Sequence, residues 1–564
     1  MGLTQFRVFS SLAFVPKSRK PRWIVARARP EAVESQRAPL FLFLIPFGLG
    51  LIFERLIPLA VSPVALLFAI ALLVLLSRVT FSSPMGRWYA VFFVAAIGMG
   101  GLYGARFLPE SESPDPPGLL PPREALFSVE PVQTFVAPPY SNRQIGLARI
   151  IGSDALLYYS APASGSGEPL LPGFSAEVYG VERELDFLIP DAGFRSYLEN
   201  RGAVAGVDSL APGRKTGVEN GFRATFSELL EKSKAALALG SSPLAPPTRV
   251  YQALVLGQRT GLDPGQKRIF RDTGTAHLFA ISGLHVGLVG GFLFAFFRYL
   301  RVRTAIQLAG MLIILLFYVI LTGSTPSAVR AFLMIAFLVG AKAFQRAYCP
   351  TSALAASALV VLLIDPAQLF TLGFQLSYVV VLSILVFGVP LAQTLLDRTD
   401  PEYWLPGQSG SPFHRVRRWV FASFSISLAA FLGSSPLIVD HFHILPISSI
   451  VLNLLLILPA TFVLLLGFLS LLFGLLGLSW LCYPLNRIAR AVIEAMTGLV
   501  SGTAETPLAA IPVEFANSWA GPVGTLLFLG VAFWVASRKR FLIRQVFLPV
   551  GSLLLTIGLG MVPG

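Results

Sequence analysis

Charge is scarce in this sequence. Of 564 residues only 13% are Asp, Glu, Lys or Arg, about half of the roughly 25% usual in a soluble domain, while 54% are hydrophobic. A soluble chain of that balance would run out of polar residues before its surface was covered, so that class is excluded. Cysteine is nearly absent too. Cys349 and Cys482 sit in or beside apolar segments, which excludes both a disulfide framework and a zinc cluster. There is no G-x-x-x-x-G-K-[ST], hence no P-loop for a nucleoside triphosphate, and no H-E-x-x-H or His-x-His-x-Asp-His, hence no zincin and no metallo-β-lactamase hydrolase. The period-2 signal of a membrane-spanning barrel is missing, as is any repeat of about 20 to 50 residues. The sequence therefore assigns no catalytic residue, no metal ligand and no cofactor.

What it does have is apolar runs of about 20 residues separated by short polar joints, the length that roughly 30 Å of hydrocarbon demands of a spanning helix. The expected fold class is a polytopic α-helical membrane protein of about thirteen spans. Three lie at 39–57, 61–78 and 87–107. The others lie at 276–298, 304–323, 328–346, 351–366, 371–394, 417–438, 447–475, 478–500, 518–537 and 543–562. The first 38 residues are basic, with Arg7, Lys17, Arg19, Lys20, Arg22, Arg27, Arg29 and Arg37 against Glu31 and Glu34, and read as a cytoplasmic N-terminus. The segment after these charges lacks the A-x-A-like site of a cleaved signal peptide and is quickly followed by more apolar runs. An outside start at 276 puts Arg298, Arg301 and Arg303, then Lys342 and Arg346, then Arg415, Arg417 and Arg418, then Arg538, Lys539, Arg540 and Arg544 inside, and the C-terminus outside.

Residues 108–275 interrupt the apolar pattern. A Pro- and Ser-rich stretch (109–122) leads into short, partly alternating runs, QIGLARIIG, ALLYYSA and FSAEVYGVERELDF, which predict a small extracytoplasmic β-barrel or sandwich over 108–220. Residues 221–275 switch to helical periodicity: FRATFSELLEKSKAALAL (222–239) is amphipathic and is expected along the membrane surface or capping the β-unit.

Four polar constellations stand out. In HLFAISGLHVGLVGG (277–291), His277, Ile281 and His285 recur at i, i+4 and i+8, one stripe of a helix, and Gly283, Gly287, Gly290 and Gly291 permit close approach to its backbone. The two histidines either line a path or bond loops at the outer interface, and Ser282 beside His285 leaves a nucleophile pair as a third reading. In LTGSTPSAVRAFLM (321–334), Arg330 falls about one turn inside a span and either snorkels or lines an anion path. In IDPAQLFTLGFQLSY (364–378), Gln375 enters an apolar helix, where such a residue more often bonds a neighbouring helix than a substrate. In VDHFHILP (439–446), His441 and His443 invite a metal reading, but no further histidine follows, and they read as outer-loop histidines.

The run LVLGQRTGLDPGQKRIFRDTGTAHLFAISGLHVGLVGG (254–291) closely resembles the signature of the ComEC family of competence proteins. The segments GSTPSAVRA, DPAQLFTLGFQLSY and SLAAFLGSSPLIVDHFHILPISSIVLNLLLILPA resemble the family's later blocks in the same order, and LPGFSAEVYG with FRSYLENRGAVAGV resembles the end of its N-terminal domain. The resemblance implies an OB-like barrel on the outer face and a competence-type transmembrane domain (276–564) that conducts single-stranded DNA through the cytoplasmic membrane. In such a barrel Tyr158, Tyr159, Phe174 and Tyr179 are candidates to stack on bases. His277, Ser282, Gly283, His285, Arg330 and Gln375 are the candidate transport-path residues. Many family members carry an outer metallo-β-lactamase-like domain, which this sequence does not show. The implied partners are single-stranded DNA, a separate DNA receptor and nuclease outside, a cytoplasmic ATP-driven motor or single-strand-binding proteins, membrane lipid, and a second copy of the chain in a homo-oligomer. A transporter or channel for a small anionic solute, and a membrane-embedded enzyme or scaffold, are the alternatives.

Overall fold

Apolar residues on every face of a segment leave the backbone only one way to satisfy its own polar groups in lipid, and the membrane half of this chain is accordingly helical. The computed structural model describes residues 39–56, 84–107, 123–135, 143–152, 156–162, 170–189, 203–209, 213–218, 220–258, 261–279, 283–345, 349–399, 412–506, 509–515, 519–536 and 547–560, with Arg195, Leu198, Ala211, Asn517 and Gln545. The basic segment 1–38, the expected span 61–78 and the Pro-rich stretch 109–122 lie outside them.

Two helices come first, α1 (Pro39–Leu56) and α2 (Pro84–Phe107). Their faces meet through glycine: a Cβ on Gly50 would stand 2.0 Å from Ile97 O, and one on Gly100 would stand 2.0 Å from Phe47 O. Such backbone-to-backbone approach is how helices associate where no water drives them together. Their C-terminal ends both reach the same place, with Arg55 4.5 Å over the Phe370 ring and Tyr103 Oη donating to Leu363 O.

The β-domain follows: β1 (Arg123–Phe135), β2 (Arg143–Ile150), β3 (Leu156–Pro162), β4 (Phe174–Arg183), β5 (Ala203–Ser209) and β6 (Arg214–Val218). Five strands close a small barrel in the order β1-β2-β3-β5-β4 with β4 returning to β1, while β6 extends β4. All pairings are antiparallel except β3 with β5. Val129, Leu157, Tyr159, Val178 and Val207 fill the barrel. Arg143 ties the β3–β5 seam, donating through Nε to Ser160 Oγ at 2.7 Å and through Nη2 to Asp208 and to Ser209 O at 2.9 Å. Sequence reasoning did not single out this ion pair.

Helix α3 (Gly221–Ala238) leaves the barrel, capped by the Asn220 side chain, and is followed by α4 (Pro246–Leu256) and α5 (Pro264–Asp272). The two ends of α3 lie in different surroundings. The start of α3 does clasp the barrel: Gly173, at φ +89, lies against Ala224, Ser227 Oγ donates to Pro172 O at 2.9 Å, and Arg223 pairs with Glu130 at 3.7 Å. Its other end and α4 are not on a surface. Val250, Tyr251, Ala253, Leu254, Val255 and Leu256 are fully buried in the largest core of the protein.

The apolar helices that follow are α6 (Gly283–Tyr299), α7 (Thr304–Leu321), α8 (Pro326–Ala343), α9 (Pro350–Ile364) and α10 (Leu372–Ser383). A π-helical turn (Ile384–Gly388) carries α10 into α11 (Val389–Thr399). Then come α12 (Pro412–Phe442), β7 (Ile444–Leu445), α13 (Ser449–Leu475), α14 (Ser479–Ala504), β8 (Ile511–Pro512), α15 (Ala520–Ala536) and α16 (Phe547–Gly560). Among the described residues, five helices are long and apolar enough to cross a bilayer: 304–321, 326–343, 372–396, 416–442 and 449–475. Shorter apolar helices occupy 43–52, 285–299, 350–364, 520–535 and 547–556.

The segment expected as a span at 478–500 is different in kind. Helix α14 is amphipathic, burying Cys482, Asn486, Ala489, Arg490, Ile493, Met496 and Val500 on one stripe while Trp480, Tyr483, Ile488 and Leu499 face outward. The buried stripe packs on α13, α3 and α4. There Asn486 Nδ2 donates to Ala236 O at 2.8 Å, Arg490 Nη1 donates to Leu239 O at 3.2 Å, and Tyr251 Oη reaches Asn486 Oδ1 at 3.3 Å. These side chains satisfy the last carbonyls of α3, which no further helical turn would satisfy.

Candidate functional site

Far-apart sequence blocks come together where helices begin. Helix α6 is entered through Thr273, Gly274 (φ +69) and a 3-10 turn, Ala276–Phe279. A Cβ on Gly274 would meet Pro446 and Ser449 at 2.9 and 2.8 Å, and Ser448 Oγ donates to Thr273 O at 3.4 Å. The start of α6 also touches α8: a Cβ on Gly283 would be 3.7 Å from Ala331 Cβ. Helix α8 in turn meets α10 through Arg330, whose Nη2 donates to Gly373 O at 2.8 Å. Thus 254–291 contacts both 323–331 and 427–460, and 323–331 contacts 365–378.

Local chemistry explains each entry. Gly323 (φ +81) and Ser324 (φ +49) turn the chain so that Pro326 can open α8, its missing N–H falling where no helical bond is due. Asp365 accepts from Ala367 N at 3.1 Å and caps the 3-10 turn Pro366–Phe370, and Thr371 Oγ1 accepts from Phe374 N at 3.3 Å and caps the start of α10.

The expected path residues have unequal fates. His277 is exposed on the 3-10 turn, its Nδ1 3.0 Å from Gly274 O, whereas His285 is 5% exposed within α6. His277 lies on the 3-10 turn that ends at Phe279 and His285 on α6 from Gly283, and residues 280–282 between them are outside the described residues. Gly283 is exposed, and Ser282 lies outside the described residues. Gln375 is half-buried, and its Nε2 donates to Leu369 O at 3.2 Å, in the 3-10 helix Pro366–Phe370 just ahead of its own.

Arg330 does not snorkel. It is 3% exposed, with its Cζ 5.5 Å from the Tyr378 ring and 5.9 Å from the Phe374 ring, and those rings lie 4.4 Å apart. Apart from the bond to Gly373 O, its Nε and Nη1 are buried with no hydrogen-bond partner among the described residues.

In the barrel the stacking candidates need correction. Tyr158 and Tyr159 are neighbours on β3, so the pleat sends them to opposite faces, and both faces are covered. Tyr159 (1% exposed) fills the barrel, and Tyr158 (6% exposed) packs on Leu185, Ile189 and Leu198. Phe174 is buried under Lys215, whose Nζ is 3.4 Å from its ring. Only Tyr179 is open, at 45%, and its hydroxyl donates to the Glu124 carboxylate at 3.1 Å. Burial holds the Tyr159 phenol neutral well above its usual range, and its hydroxyl has no partner among the described residues.

A measurable consequence follows. Tyr159→Phe removes an unsatisfied buried oxygen and is expected to leave stability unchanged or raise it by about 1 kcal/mol. Because the raised phenol stays neutral when folded, its contribution is complete below the unfolded value of about 10 and is lost as pH climbs toward the folded one. Alkaline thermal scans should therefore fall less steeply for Tyr159→Phe than for the parent; equal slopes would contradict this.

His441 and His443 lie at the end of α12 and the turn after it. His441 Nδ1 is 3.1 Å from Leu437 O and 3.5 Å from Asp440 Oδ2, and His443 faces Glu514 at 3.9 Å. Among the described residues no three metal-ligating side chains converge.

A mostly helical chain with five candidate membrane helices among its described residues, a small five-stranded barrel and four motif blocks meeting at helix starts points to a membrane protein of a particular kind. The profile of the competence-protein family matches residues 254–539, just over half of the sequence, and the chain belongs to that family. It is 30% identical over 352 residues to ComE operon protein 3 of Bacillus subtilis, covering 59% of this chain and 42% of that one. It is 28% identical over 258 residues to Recombination protein 2 of Haemophilus influenzae, covering 44% and 31%. An uncharacterized protein of Escherichia coli, YcaI, is 30% identical over 227 residues, covering 39% and 28%. The chain thus spans less than half the length of these relatives. No solved structure matches it.

Proposed function

We propose that the chain conducts single-stranded DNA across the cytoplasmic membrane during competence, without catalytic chemistry of its own. The observation that carries this is the meeting of the four family blocks around the starts of α6, α8, α10 and α13. Charge distribution sets the direction. Arg298, Arg301 and Arg303 sit at the far end of α6 and the start of α7, so the block-bearing ends face outward, on the barrel's side of about thirteen spans, and the barrel is of the OB type. Passage of a polyanion into a negative-inside cell is opposed by about 2.3 kcal/mol per charge per 100 mV. A sequence with no P-loop needs a cytoplasmic motor or strand-binding protein to pull, and a receptor and nuclease outside to deliver one strand.

The test is a deletion strain carrying this chain, scored for transformation and for labelled DNA reaching the cytoplasm. Restoration of both supports the conduit. Surface-bound DNA with no cytoplasmic label and no transformants rejects it, and uptake of a small anion in its place favours the solute-channel alternative. Orientation has its own test: a periplasm-dependent reporter fused after Asn220 is expected to be active and one fused after Arg303 silent, and the opposite pattern at either position overturns the assignment.

A further inference from the structure

A guanidinium withdrawn from water ordinarily satisfies its five N–H donors or faces a carboxylate, because an uncompensated buried charge is expensive. Arg330 does neither. Among the described residues it makes one hydrogen bond, to Gly373 O, and pairs with no carboxylate, while Nε and Nη1 are buried and open. Phe374 and Tyr378 wall it on the α10 side. At the start of the same helix the Thr325 hydroxyl is buried without a partner as well. Gly373 is exposed, and nothing stands within 4 Å of where its side chain would be, so the α8–α10 seam reaches the surface beside the guanidinium.

We infer that Arg330 is an oxyanion site whose open donors receive the phosphate group of a phosphate ester. A tetrahedral oxyanion supplies both the acceptors and the negative charge that the Arg330 surroundings lack, and guanidinium is the side chain best matched to it. The inference rests on the conduit reading for its natural source, the phosphodiester of a DNA strand; inorganic phosphate and an anionic lipid headgroup share the chemistry.

The experiment uses the full chain in detergent and follows thermal unfolding at constant ionic strength. The probes are inorganic phosphate against chloride, a short oligodeoxythymidylate, and vesicles of phosphatidylglycerol against phosphatidylcholine. Phosphate and the oligonucleotide are expected to raise the parent's melting temperature. Arg330→Gln should weaken that response about tenfold or more, and Arg330→Lys should keep part of it. Without anion, Arg330→Met should melt at or above the parent, since a buried unpaired charge has gone. If Arg330→Met instead melts well below the parent, with the anion making no difference, the guanidinium is a staple between helices and the site is refuted. Oligonucleotide binding that survives Arg330→Gln also refutes the site but leaves the conduit standing. An Arg330-dependent response to phosphatidylglycerol alone keeps the oxyanion site and removes DNA as its source.

Discussion

Arg330→Gln is expected to lower DNA entry into the cytoplasm about tenfold to a hundredfold, with surface binding and protein level unchanged. The size follows from losing the charge-assisted bonds that a buried guanidinium makes to a passing phosphate, about 1.5 to 3 kcal/mol. Glutamine keeps a donor for Gly373 O at α10 but no charge. Lysine restores the charge without the planar fork and should recover part of the uptake, because a phosphate path needs charge before geometry. His285, buried in α6, provides a second reading of the same property. His285→Ala should also reduce entry if that helix lines the path, whereas a histidine held only for packing would tolerate the change. Normal transformation by both variants at parental abundance would make these residues structural or idle. Labelled-DNA uptake measured beside immunoblots decides it.

The largest loss of folded protein is expected from Gly50→Val or Gly100→Val. At each position a Cβ would overlap a carbonyl oxygen of the facing helix at 2.0 Å, a clash with backbone that no rotamer relieves. Inserting atoms into a packed interface costs typically 1 to 3 kcal/mol where neighbours can yield, and here the neighbour is a helix backbone, so about 3 kcal/mol or more is expected. The two helices should part, seen as a lower melting temperature and a smaller monodisperse fraction in detergent. Gly48 is the control, since among the described residues nothing lies within 4 Å of its would-be Cβ, and Gly48→Val should behave nearly as the parent. Equal effects at Gly48 and Gly50 would show that α1 is sensitive to β-branching itself and that the close crossing is irrelevant.

Much of the architecture was legible because lipid leaves the backbone few choices. The runs at 304–323 and 447–475 became α7 and α13 almost to the residue, and the interrupted pattern of 108–220 became a β-domain. The misreadings share a cause: hydropathy averages over a helix and ignores direction. At 478–500 the mean apolarity hid Arg487, Arg490 and Glu494, while the spacing of Cys482, Asn486, Arg490 and Ile493 already traced a one-sided stripe. Tyr158 and Tyr159 were both offered to DNA although adjacent strand residues face opposite ways, and here each face is covered. Composition likewise could not bury α4, whose polar-looking start PPTRV precedes a run that ends against Tyr318 Oη, bonded to Val255 O at 2.8 Å. Nor could any local pattern reveal that Arg330 meets Gly373 across 43 positions or Ser448 meets Thr273 across 175. Those contacts belong to tertiary structure alone.

Helix α3 is clamped at both ends, by Gly173, Pro172 and Glu130 above and by Asn486 and Arg490 below. A rod of 18 residues, about 27 Å long, fastened in this way is a strut without a joint. Torque on the barrel then passes undamped into α14, and a fluorophore on the barrel should report the slow tumbling of the whole particle and no faster local rotation.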